Sequence, residues 1–232
     1  MSNRNIGVAA SIAMLALGFA GSAQAQEPGM SFFITSAGSG KGADLGGLAG
    51  ADRHCQSLAE AAGSKGKTWR AYLSTTGSGG VNARDRIGNG PWYSAQGRLI
   101  ARDVAELHEG VNNINRMIAV NEKGGVVHGR ADSPNQHDML TGSMPDGRAS
   151  KAAGDTTCGN WTKSSGDGSA LLGHHDRHGL QENEPSRSWN SSHGSKGCSQ
   201  QNLVSTGGAG LYYCFAADGG AKMAAAPSKK KK

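Results

Sequence analysis

The sequence predicts a single loop-rich domain of mixed α and β structure, closed by disulfides. Three observations point there. Short aromatic or β-branched runs lie near both ends, an amphipathic run follows the first of them, and four cysteines accompany 37 glycines and only 5% aromatic residues. With 232 residues and 36% hydrophobic content, the chain has material for one core and not for a second. So many glycines around so few rings imply turns and loops on a modest core, without long continuous helices.

Each element follows from local pattern. "SFFITS" (Ser31 to Ser36) is an aromatic and β-branched run that predicts a first strand, and "GSGKGADLGG" a glycine-rich turn after it. Leu48, Ala51, Cys55, Leu58, Ala59 and Ala62 recur at three- and four-residue steps, which predicts a helix ending near Gly63 with Cys55 on its buried face. "TWRAYLST" (Thr68 to Thr75) alternates as a half-buried strand, with Trp69, Ala71 and Leu73 toward the core and Arg70, Tyr72 and Ser74 away from it. "NARDRIGNGPWYSAQG" has the composition of a structured loop, and "DVAELHEG" that of two helical turns capped by Asp103. "MIAV" and "GGVVHG" suggest short strands around a turn from Glu122 to Gly125. From Pro134 to Ser195 nearly every local signal is loop, a length that implies function or cross-linking. "GLYYCFAA" (Gly210 to Ala217) predicts the last strand.

Residues 1–25 stand apart from this core. Arg4 makes a weakly basic start, "IGVAASIAMLALGFAG" is small and apolar, and Ala23 to Ala25 reads as a signal-peptidase site, so cleavage after Ala25 is expected. The run is too short, and lacks the flanking charges, for a transmembrane anchor. Residues 26–220 form the expected domain and 221–232 an expected disordered Lys-rich tail. A bacterial periplasmic or secreted location follows, and in that oxidising setting Cys55, Cys158, Cys198 and Cys214 read as two disulfides with three pairings open. Their spacing contains no close CxxC pair of the kind that holds zinc. From Gln26 to Gly220 the count is 18 Lys plus Arg against 18 Asp plus Glu, so the net charge of +6 is terminal and nucleic acid is not an expected partner. Lys229 to Lys232 suit weak contact with an anionic surface, at about 1 kcal/mol per lysine.

The order of "ADRHCQSLAEAAG", "WRAYLS", "CGNW", "SWN" ahead of "GC", and "YYCFA" resembles the C-type lectin-like superfamily. Within it the chain is most similar to the endostatin domain of collagens and to bacterial secreted lectin-like proteins. The likeness spans about Ser31 to Ala217. It implies an α+β fold, loop-rich, whose termini meet in one sheet, with nested disulfides Cys55–Cys214 and Cys158–Cys198. Placement agrees, because a bridge from the first helix to the last strand ties the ends of the domain and leaves the other two cysteines to close the loop region. Under the chain-entropy model each closure contributes about 4 to 5 kcal/mol.

Sugar-binding members of that superfamily hold Ca²⁺ with an acidic-Pro-Asn triplet and the Asn-Asp of a Trp-Asn-Asp motif. Here Glu182-Asn183-Glu184-Pro185 and Trp189-Asn190-Ser191 offer the same ingredients rearranged. The resemblance therefore implies Glu182, Asn183, Glu184 and Asn190 as ligand contacts, with Glu182, Glu184 and Asn190 as calcium ligands; Ser191 stands where the family has an acid. The stretch "GHHDRHG" (Gly173 to Gly179) adds His174, His175 and Asp176 to the candidate contacts. Its residue types suit zinc, yet adjacent histidines point apart and no helix aligns His174 with His178, so a hydrogen-bonded polar turn ranks ahead of zinc; the sequence establishes no cofactor, calcium being the first candidate and zinc the second. Trp92, Tyr93, Trp161 and Trp189 sit in predicted loops, the last two as plugs of the core.

No elbow motif surrounds a serine and all four cysteines are committed, so no catalytic residue is expected. The expected function is glycan recognition through the loop region between Cys158 and Cys198. A calcium-independent module for binding proteins of, or building, the cell envelope is the alternative, and an unmarked periplasmic hydrolase comes third.

Overall fold

The structure, a computed structural model, describes residues 29–109 and 111–218. The expected signal segment and the Lys-rich tail lie outside the described residues. The domain is α+β with two disulfides, Cys55–Cys214 and Cys158–Cys198.

Its organising element is the last strand, β8 (Gly208–Ala216). On one edge β8 pairs antiparallel with β1 (Phe32–Ile34), Phe33 facing Cys214 in register, so the two ends of the domain share one sheet. On the other edge its C-terminal half pairs antiparallel with β2 (Trp69–Ala71) and its N-terminal half pairs parallel with β5 (Asp138–Leu140). β5 continues antiparallel to β6 (Leu171–His174), and β6 to β7 (His193–Gly194). A separate hairpin joins β3 (Trp92–Tyr93) to β4 (Leu99–Ala101). Four helical pieces complete the fold: α1 (Gly47–Ala61), α2 (Val104–His108), the single turn α3 (Cys158–Trp161) and α4 (Gln200–Thr206).

The period-2 alternation of β8 splits the interior in two. Tyr212, Cys214 and Ala216 join Phe33, Cys55, Ala59, Trp69, Ala71 and Trp161 in one core, against which α1 packs. Leu211, Tyr213 and Phe215 join Phe32, Ile34, Tyr72, Trp92, Ile100 and Trp189 in the other. Trp92, Trp161 and Trp189 are all buried. Because both faces are covered, "TWRAYLST" is not half-buried as its alternation suggested: Tyr72 and Ser74 are as buried as Leu73, and only Thr68 and Arg70 are exposed.

Two further expectations need correction. "MIAV" and "GGVVHG" form turns and not strands, with a single bridge from Ile34 to Asn121; Asn121 Oδ1 accepts the amides of Lys123 and Gly125 and holds the turn without a ladder. The long stretch read as loop contains β5, β6 and β7. These strands have two to four residues, too few to display alternation, and their place in the sheet comes from pairing, β5 on β8, β6 on β5 and β7 on β6.

Candidate metal centre

The outer strands bring four side chains to one point. Asp138 opens β5 and stands opposite His174, the last residue of β6; His193 opens β7 opposite Leu172, diagonal to His174 on the same face; His137 immediately precedes β5. The Nε2 atoms of His137, His174 and His193 lie 3.2, 3.3 and 3.5 Å from Asp138 Oδ1. His174 Nε2 and His193 Nε2 are 2.9 Å apart, and the rings of His137 and His174 stack with centroids 4.2 Å apart. One ligand atom from each of His137, Asp138 and His174 fits within 4.8 Å of the others. Neither oxygen of Asp138 receives a hydrogen bond, although both are buried.

The protonation state of the imidazoles follows from their outward partners. His137 Nδ1 meets Asp176 Oδ1 at 3.2 Å, His174 Nδ1 the carbonyl of Ser186 at 2.8 Å, and His193 Nδ1 the carbonyl of Gly194 at 3.1 Å. Each of those oxygens is an acceptor, so each Nδ1 carries the proton and donates it. In the neutral ring that leaves Nε2 as a lone pair. Three lone pairs and a carboxylate oxygen thus face one another, and a single proton on one ring can satisfy only one such pair. A cation among them satisfies all four. With metal–ligand bonds of about 2.0 to 2.1 Å, a tetrahedral site has ligand–ligand edges of about 3.3 Å; the contacts around Asp138 and between His174 and His193 span 2.9 to 3.5 Å.

The surroundings support this geometry. Asp176 orients His137 as a carboxylate behind a metal-bound imidazole does, and is itself fixed by the amides of Arg130 and His178 at 2.7 and 3.1 Å. Burial pushes the Asp176 carboxyl up, but His137 and those two amides outweigh it and hold the group well below the usual carboxylate range. Burial likewise opposes ionisation of Asp138, and His174 and His193 overcome it, so its pKa is lowered. Asp138 in turn raises His193 above the ordinary imidazole value.

Two glycines make room for the cluster. A Cβ at Gly173 would fall 1.9 Å from the carbonyl of Trp189, so only glycine lets residues 188–190 cross β6 closely enough for His174 N to donate to Ser188 O. Gly207, at φ 115°, ends α4 where a Cβ would crowd the His137 ring at 3.1 Å. Beyond His174 the chain turns through Arg177 at φ 62°, a left-handed conformation costing about 1 to 2 kcal/mol for a non-glycine residue. The Arg177 guanidinium offsets this by donating to the carbonyls of Ile114 and Arg187 and to Asn112 Oδ1.

The centre has one open side. Side-chain exposure is 1% for Asp138, 3% for His174 and 5% for His137, but 39% for His193. All three histidines line a cavity of about 760 Å³.

The sequence-predicted residues divide. His174 belongs to the centre and Asp176 stands behind it. His175 points away as a strand neighbour does: it is buried, its Nε2–H donates to the carbonyl of His128 at 3.0 Å, and burial keeps it neutral by pushing its pKa down. The polar-turn reading of "GHHDRHG" is corrected to this extent, since Gly173 and His174 are strand residues. Glu182, Asn183, Glu184 and Asn190 do line one cavity, of about 580 Å³, where the groups of Glu182, Asn183 and Asn190 are engaged and Glu184 is exposed. Asn190 is buried, its amide donating to Tyr72 Oη, Met144 O and Pro145 O and its Oδ1 accepting from Ser188. Glu182 pairs with Arg187, and Asn183 Oδ1 accepts the Ser186 amide. Among the described residues these side chains form no cage of six to eight oxygens suited to calcium.

His137, Asp138 and His193 escaped the sequence reading. The available signal was the His137-Asp138 pair, two ligand types side by side ahead of an apolar run. Compared with known proteins, the sequence matches no protein-family model and no curated protein.

Proposed function

We propose that this chain is an exported binding protein of C-type lectin-like, endostatin-like fold, whose working centre is a zinc ion held by His137, Asp138, His174 and His193 and whose ligands are glycans. One observation carries the reading: His137, Asp138 and His174 each bring a ligand atom within 4.8 Å of the others, His193 Nε2 stands 2.9 Å from His174 Nε2 and 3.5 Å from Asp138 Oδ1, and both oxygens of the buried Asp138 lack a hydrogen bond. Imidazole and carboxylate in fourfold arrangement suit zinc, whereas calcium takes only oxygens, so zinc replaces calcium as the proposed metal. The nested disulfides and the meeting of β1 with β8 support the superfamily. Two disulfides support an oxidising compartment, and no helix among the described residues is long and apolar enough to cross a membrane.

Recognition is favoured over hydrolysis because no carboxylate lines the cavity beside the centre, and a metal-activated water needs a base to take its proton. Amides and hydroxyls line it instead, from Asn135, Gln181, Asn183, Ser192, Ser205 and Thr206. Metal analysis of protein purified without a histidine tag tests the first half: one zinc per chain is expected, absent in His174→Ala. A glycan array read with zinc and after chelation tests the second, with hits that vanish on chelation. Protein that takes up no zinc refutes the metal centre. Zinc-loaded protein that captures no glycan refutes the lectin reading and turns the search to envelope proteins.

A further inference from the structure

The cavity over the centre has a charge pattern of its own. Its lining includes Arg130 and Lys196 and not one Asp or Glu. Neither cation forms an ion pair among the described residues, although most of the other ionic contacts in the domain join Arg or Lys to a carboxylate. Both are exposed, and the Arg130 backbone is anchored by its amide to Asp176, the carboxylate that orients His137. His193, the most exposed of the four ligands, opens the centre toward these cations.

We infer that the cavity takes a sugar acid, its carboxylate placed on the metal side of the pocket between Arg130 and Lys196 and its hydroxyls on the amide and hydroxyl side chains. The inference rests on the zinc reading above and adds a ligand class to it. Two exposed cations and a metal ion favour an anionic oxygen donor, since charge-assisted hydrogen bonds from Arg and Lys to carboxylate are the strong ones. Asn135, Gln181 and Ser192 then face a polyhydroxylated body with both donors and acceptors. A volume of about 760 Å³ is ample for a short oligosaccharide. A neutral sugar would leave both cations without a partner, and a bare anion would leave the amides unused.

Titration calorimetry with trigalacturonate, its neutral galactose counterpart and inorganic phosphate, on zinc-loaded and chelated protein whose zinc content is measured in the same samples, tests this. Trigalacturonate is expected to bind the zinc-loaded form at least tenfold more tightly than the chelated form and more tightly than either control. Arg130→Gln and Lys196→Gln should each weaken it about tenfold, as loss of a hydrogen bond to a charged group does, while zinc content and melting temperature hold. Equal binding of the neutral sugar, or phosphate bound more tightly than trigalacturonate, overturns the inference and leaves the zinc centre standing if the metal is present. Protein without zinc overturns both.

Discussion

Asp52 and Asp138 are both buried carboxylates, 8% and 2% exposed, and their surroundings are opposite. Asp52, on α1, accepts from Arg70 at 2.7 Å, from Arg86 through both oxygens at 2.8 and 2.7 Å, and from the amide of Ala71 at 2.9 Å. Its charge is matched and its lone pairs are filled, so it fastens α1 to β2. Asp138, on β5, receives no hydrogen bond and faces nitrogen lone pairs. A fold tolerates an unsatisfied buried charge only where something else completes it. The difference separates a carboxylate held by fixed donors from one ringed by imidazoles.

Four measurements break or sharpen that contrast, in order of expected size. Asp52→Asn leaves Arg86, whose side chain is 10% exposed, with no carboxylate; chemical denaturation should show a loss of about 3 to 5 kcal/mol, with zinc content unchanged. Asp138→Asn should do the reverse: chelated protein loses only the contacts of the carboxylate with His174 and His193, while added zinc no longer raises stability. For the parent protein the zinc increment at a thousandfold excess over Kd is about 4 kcal/mol. If Asp138→Asn destabilised the chelated protein as Asp52→Asn does, both carboxylates would be structural. Asp176→Asn, read by zinc competition with a chromogenic chelator, should weaken the metal about 10- to 100-fold with little change in fold. Asn190→Ala should cost about 1 to 3 kcal/mol by leaving Tyr72 Oη and two carbonyls short of a donor, with no effect on zinc. A calcium-dependent loss in Asn190→Ala would restore the calcium site implied by the superfamily resemblance.

The same contrast explains what could be read in advance. Cys55 on the buried face of a helix and the aromatic run from Gly210 to Ala217 as the last strand are patterns long enough to be read locally, and both appear in the structure, the strand as Gly208–Ala216. The resemblance also led to Glu182 and Asn190, where family residue types are present but engaged in packing and turns. His174 and Asp176 drew notice only because histidines crowd there. His137, Asp138 and His193 span 56 positions of apparent loop, and nothing local in their short strands marks which way a side chain points.

By itself the sequence determined a small glycine-rich domain with strands at both ends, a helix carrying one cysteine inward, and an even set of cysteines. Those properties reside in composition and in periodicity over one element. The tertiary structure has the disulfide pairing that the resemblance implied, and it alone decided the double covering of the sheet and the gathering of His137, Asp138, His174 and His193. The reason is physical: a ligand cluster is a coincidence of several strand registers, β5 on β8, β6 on β5 and β7 on β6, and no single segment encodes these long-range pairings.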